Sequence, residues 1–202
     1  MNTLPKGVDL AACAIPAIIG IEGGLGNDPL DSGGETKYGI TLGFARDNGC
    51  QKAIKDLTPA DATDLYRRGV WDKLRLSSVA NISPACALEL FDSGVNCGIG
   101  RSGEWLQRAL NAFNNSEKYY GDLLVDGSIG PKTIETLAKY VSIRGTEGAK
   151  ILLRTLDSLQ LEYYVSLSQF RPKDERFVYG WVKERTGSER WESILKAAGV
   201  AF

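Results

Sequence analysis

Histidine is missing from all 202 residues of the chain. Its absence excludes Ser-His and Cys-His nucleophile pairs and zinc hydrolase sites built on imidazole ligands. A hydrolase made from this chain must therefore take its acid and base from carboxyl groups. Cysteine is sparse: Cys13, Cys50, Cys86 and Cys97 include no Cys-x-x-Cys pair and no metal-ligand spacing, so they read as small buried thiols. An excess of either charge is lacking too. The 24 Lys+Arg against 25 Asp+Glu leave a net charge of −1, without the basic surplus that marks nucleic-acid binding. The longest apolar run, Leu10 to Ile21, is twelve residues, too short to cross a membrane. It follows Lys6 as the core of a secretory leader would, but no small-residue cleavage site comes before the glycines. Cleavage would also remove the helix that ends at Glu22, so the expectation is a protein made and folded in the cytoplasm.

What is present centres on Ile18 to Thr41, IIGIEGGLGNDPLDSGGETKYGIT. An apolar helical run ends in one carboxylate, Glu22, followed at once by Gly23 and Gly24. Glycine there closes a helix in the left-handed conformation. A glutamate in the last turn is unusual, because the helix C-terminus carries partial negative charge and favours a cation. Apolar neighbours and that helix end both penalise the ionised form and raise the pKa, as a general acid requires. Asp28, Asp31 and Glu35 follow among closely spaced glycines, which let the backbone turn sharply and let a polymeric ligand approach the main chain. The run Thr36 to Thr41 reads as a strand returning from a turn. An acid at a helix end facing a carboxylate-bearing hairpin is how a glycosidase sets two carboxyl groups across one cleft.

Elsewhere the pattern is helical. Pro16 is expected in the first turn of the helix running to Glu22. Thr58-Pro59-Ala60-Asp61 and Ser83-Pro84 are helix starts with an N-cap and a proline at the first position. The second opens a helix whose Ala87, Leu88, Leu90 and Phe91 look like core, with Asp92, Ser93 and Asn96 at its glycine-rich end. Ser102 to Phe113 is amphipathic, a polar loop runs from Asn114 to Asp122, and helical patterns cover Lys132 to Val141 and Gly148 to Gln169, breaking at Arg171-Pro172. Trp105, Trp181 and Trp191 fall in apolar helical patterns and read as core. Asp126-Gly127 reads as a turn and not a metal loop, since no further oxygen ligands stand at suitable spacing.

These pieces resemble glycoside hydrolase family 108, the lysozyme-like muramidases of phages and bacteria. The matching residues are Glu22-Gly23-Gly24, Asp28-Pro29, Asp31 to Thr41, Tyr66-Arg67-Arg68 with Trp71-Asp72, and Phe91-Asp92 with Val95-Asn96. The second half resembles the predicted peptidoglycan-binding module that usually follows, through Leu106 to Leu110, Asp126-Gly127, Ile129 to Thr133, and Gly180-Trp181. The resemblance implies a mainly α, lysozyme-like α+β fold, with a small β hairpin beside the catalytic cleft and a helical C-terminal half. The expected division is a catalytic region over 1–100 and a helical peptidoglycan-binding region over 101–202 packed on the first.

The implied activity is hydrolysis of the β-1,4 bond between N-acetylmuramic acid and N-acetylglucosamine, without a metal or organic cofactor. Glu22 takes the place of the family's catalytic acid. Asp31 is the expected second carboxylate, positioning water with a threonine hydroxyl, Thr36 or Thr41; Glu35 competes for that role. Tyr38 and Trp71 can stack on sugar faces or pack as core aromatics. Asp92 and Asn96 can hydrogen-bond an N-acetyl group or cap their helix. The resemblance further implies a monomeric phage endolysin. It would be made in the bacterial cytoplasm, pass through a lesion opened by a holin without touching it, and act on the wall in the periplasm. The rival readings are a peptidoglycan-binding or secretion-assisting protein that does not cut, a lytic transglycosylase needing one acid, and a chitinase-like enzyme.

Overall fold

The structure is a computed structural model in which residues 4–22, 25–26 and 36–200 are described. The first helix, α1 (Leu10–Glu22), starts where the Asp9 side chain accepts a hydrogen bond from the Ala11 N–H at 3.1 Å. Pro16 therefore lies inside the helix, not in its first turn as the sequence suggested. The proline removes one bond to the carbonyl four residues back, and both Ala12 and Pro16 face solvent, where water can satisfy that carbonyl. Leu10, Ala11, Ala14, Ile15 and Ile18 are buried. The spacing of four places 10, 14 and 18 in one row.

Three two-residue strands follow: β1 (Leu25–Gly26), β2 (Thr36–Lys37) and β3 (Ile40–Thr41). They pair antiparallel in the order β1-β2-β3, with Gly26 opposite Thr36 and Thr36 opposite Thr41. The run expected as one returning strand is thus itself a hairpin. Its two-residue turn is Tyr38-Gly39, both at positive φ (57° and 73°), the sign that the right-handed twist of a tight hairpin requires. Tyr38 has a Cβ and does not adopt this conformation freely. The Tyr66 hydroxyl donates to the Tyr38 carbonyl at 2.8 Å and holds it there.

Thr41 then caps α2 (Leu42–Asp47). The helix α3 (Pro59–Tyr66) opens with the anticipated cap, where Thr58 and Asp61 satisfy each other's backbone N–H groups, and runs directly into a π-helical turn, Arg67–Trp71. Next come α4 (Leu76–Ala80), α5 (Pro84–Cys97), α6 (Ile99–Ala112) and the long α7 (Pro131–Phe170). The last is two arms meeting at Gly145, whose φ of 63° is non-helical. After Arg171-Pro172, α8 (Glu175–Arg185) and α9 (Glu192–Ala197) close the described chain. The fold is mainly α, with one small sheet among the described residues beside the end of α1, as the sequence predicts.

Helix α5 is buried on nearly every side and packs against α4, α6 and α7. Gly94 makes the contact with the segment before α4 possible, since a Cβ there would stand 2.8 Å from Leu74 Cδ1. One hydrophobic cluster runs from Leu10 to Val200. Cys86 and Cys97 are buried in it, while Cys13 and Cys50 are only half-buried.

Candidate functional site

Helix α1 delivers Glu22 as its last residue, with no basic residue in the last turn to answer the carbonyls there. The Glu22 carboxyl group, and the whole of Asp31 and Glu35, lie outside the described residues. What the structure does place is their frame. Gly26 and Thr36, the ends of the segment that carries Asp31, are paired across the sheet. Thr36 is half-buried in the middle strand.

Around this frame the other expected residues separate. Thr41 is half-buried, and its hydroxyl accepts from the Phe44 N–H at 3.1 Å, so its oxygen is engaged as the cap of α2. Tyr38 is half-buried at the tip of the hairpin, with Lys37 Nζ 5.4 Å from its ring centroid. Trp71 takes the core alternative. It is 1% exposed, meets Phe91 edge-on at 5.4 Å, and donates Nε1–H to Ser77 Oγ at 2.9 Å. Neither ring face is open to a sugar. The physical reason is the π turn, closed by the Asp72 N–H to the Arg67 carbonyl at 2.8 Å, which seats Trp71 in the core.

Asp92 is 1% exposed, and both its oxygens are engaged within the fold. One oxygen accepts from Arg185 Nη1 at 2.9 Å and Asn96 Nδ2 at 3.2 Å. The other accepts from Gln160 Nε2 at 2.9 Å and Arg190 Nη2 at 3.3 Å. Asn96 is exposed, but its Nδ2 also donates to the Asp92 carbonyl at 2.9 Å, which fits helix capping.

One turn before Asp92 lies a carboxylate that sequence reasoning passed over. Glu89 is fully buried, and its Oε2 accepts from Arg190 Nη2 and Trp191 Nε1, each at 2.9 Å. Its Oε1 has no partner. Burial pushes the Glu89 carboxyl up to about 8, helped by the nearby Asp92 charge and opposed by Arg190 and the Trp191 hydrogen bond. Arg190 also serves Asp92 and, at 3.6 Å, Asp157, so its attraction for Glu89 is shared and burial prevails. The available signal was the helix itself: a segment apolar on all sides is buried, and any acid within it then needs partners.

This cluster floors a cavity of about 220 Å³ between α1 and the C-terminal segment, with Ala17 and Ile18 on one side and Arg190, Trp191 and Ile194 on the other. Among the described residues no group of three His, Cys, Asp or Glu side chains is placed to hold a metal, and no helix is long and apolar enough to span a membrane.

Comparison with known proteins divides the chain at the Gly98 turn between α5 and α6. Residues 15–98 match the family described as Glycosyl hydrolase 108, and residues 101–186 match the one described as Predicted Peptidoglycan domain. Among solved structures, that of Brucella abortus SagA is similar, with a TM-score of 0.66 and 26% identity over 93% of this chain and 92% of that one. No curated protein matches the chain.

Proposed function

We propose that the chain is an N-acetylmuramidase with Glu22 as its general acid, because residues 15–98 match the glycosyl hydrolase 108 family and residues 101–186 match the predicted peptidoglycan domain. The two families together give it a lysozyme-like action on peptidoglycan. The finer reading is cleavage of the β-1,4 bond between N-acetylmuramic acid and N-acetylglucosamine. The observation that supports it is that Glu22 is the last residue of α1, in a turn without a basic residue, beside the only sheet among the described residues.

In this mechanism the Glu22 carboxyl donates its proton to the glycosidic oxygen as the bond breaks. Asp31, with the Thr36 hydroxyl, positions water on the opposite face of the sugar. Thr36 lies in the strand that pairs with Gly26, and the Thr41 hydroxyl caps α2. The catalytic region corresponds to 1–100 and the peptidoglycan-binding region to 101–202. The remaining parts of the proposal rest on the sequence reading: a monomer made in the bacterial cytoplasm, reaching the wall through a holin lesion to lyse the cell.

Mass spectrometry of fragments released from purified peptidoglycan tests the reading, with Glu22→Gln alongside. Reducing N-acetylmuramic acid ends that vanish in the variant are the expected result. Anhydro ends would make it a transglycosylase, and wild-type protein that sediments with the wall yet releases nothing would make it a binder.

A further inference from the structure

The loop expected as a plain polar connection, after α6, contains an unusual backbone. Asn115, Ser116 and Glu117 stand consecutively at positive φ (57°, 53° and 62°), a left-handed turn that residues with a Cβ adopt only when their surroundings impose it. Side chains impose it here. Buried Asn114 donates Nδ2–H to Asp122 Oδ1 at 2.6 Å and accepts from the Glu117 N–H at 3.2 Å. Glu117 in turn accepts from the Asp122 N–H at 3.1 Å. The result separates two neighbouring tyrosines. Tyr120 turns inward and donates to the Leu110 carbonyl at 2.9 Å, and Tyr119 is left 38% exposed.

Opposite this loop, α7 breaks at Gly145. The break leaves Ile143 and Ile151, on its two arms, 48% and 38% exposed. Between loop and break lies a groove of about 390 Å³, within the range of about 300–1,000 Å³ seen for ligand clefts. Its floor is rigid: Phe113 stacks on Tyr140 at 5.7 Å, and the Tyr140 hydroxyl donates to the Gly148 carbonyl at 2.7 Å. Its rim carries one cation and one anion, Arg144 and Glu147. The Arg144 guanidinium lies 5.3 Å from the Tyr119 ring centroid and braces it.

We propose that this groove is a glycan-binding site for a neutral N-acetylated sugar strand of peptidoglycan, separate from the hydrolytic centre. The proposal rests on the peptidoglycan reading above, and all the groove residues fall within the matched domain, 101–186. The chemistry selects the ligand. An exposed aromatic ring and two aliphatic side chains meet the C–H face of a sugar, while the paired rim charges hydrogen-bond its hydroxyl and acetamido groups. A stem peptide ending in carboxylates would meet Glu147 as well as Arg144, and that balance gives it no net attraction. A polymer gripped here stays on the enzyme between cuts, which raises the effective concentration of the next bond.

The test uses the full chain. Sedimentation with purified peptidoglycan, and with glycan strands stripped of stem peptides, is measured for wild type, Tyr119→Ala, Tyr119→Phe and Ile143→Asp. Hydrolysis of a short soluble muramyl oligomer is measured in parallel. Tyr119→Ala and Ile143→Asp should each bind stripped glycan about tenfold more weakly, Tyr119→Phe as wild type, with the soluble substrate cut at an unchanged rate. Both positions are surface-exposed, so thermal unfolding should stay within a degree or two of wild type. Undiminished binding by both disruptive variants would overturn the proposal even if hydrolysis is confirmed. Wild-type binding that disappears when stem peptides are removed would also overturn it, in favour of a peptide ligand. Binding that depends on Tyr119 in a protein that releases no fragments would leave the groove standing and sink the hydrolase reading instead.

Discussion

Helices α1 and α5 carry the same local pattern to different ends. Each is strongly apolar, each bears acid near its C-terminus, and neither has a basic residue in its last turn. In α5 the acids are structural. Glu89 and Asp92 are met by Arg185 and Arg190 from the far end of the chain, and the cluster ties the first matched segment to the C-terminal helices. In α1 the acid stands at the very end of the helix, next to glycines and a sheet built from two-residue strands. A carboxylate in an apolar helix is thus ambiguous by itself. In α5 the cations the fold brings make it a joint; at the end of α1 the proposed function makes it a reagent.

The largest expected effect breaks the α1 side of this comparison. Glu22→Gln should lower fragment release by about 10²–10⁴-fold while leaving urea unfolding unchanged, because a general acid contributes to the reaction and not to the fold. Asp92→Ala should do the opposite. It leaves two buried or half-buried guanidinium groups short of a partner, and removing one member of such a cluster destabilises by about 3–5 kcal/mol. Urea unfolding should show that loss, and the fraction still folded should retain its rate per molecule.

Glu89 sharpens the contrast through pH. Its carboxyl is pushed up to about 8 in the folded protein, against an ordinary value near 4.5. Between these values the folded state holds a proton that the unfolded state has released, so stability falls as pH rises across that window. Glu89→Gln should flatten the decline in melting temperature between pH 5 and pH 8, and a variant with the wild-type slope would remove Glu89 as its source. The smallest effect is at Thr41. If its hydroxyl serves only as the cap of α2, Thr41→Ala should cost about 1 kcal/mol of stability and leave KM for glycan unchanged. A raised KM would return Thr41 to the substrate.

Trp71 and Tyr119 mark the limits of reading such a chain by residue type. The aromatic near the family motif is sealed in the core by a π turn. The aromatic in a polar loop is held at the surface by a left-handed turn. Neither backbone irregularity has a sequence signature comparable to a glycine or proline, so neither was legible.

What the sequence determined alone was whatever acts within about one helical turn. That includes the reciprocal Thr58–Asp61 cap, the proline-led starts of α3 and α5, the end of α1 at Glu22 before two glycines, and the carboxylate chemistry enforced by the lack of histidine. The partners of Glu89 and Asp92 were decided only by tertiary structure, because the arginines that answer them lie 93 to 101 residues away. Caps and turns are settled by neighbours already joined along the chain. A buried charge is settled only when folding has excluded water and delivered its counter-charge from a distant element.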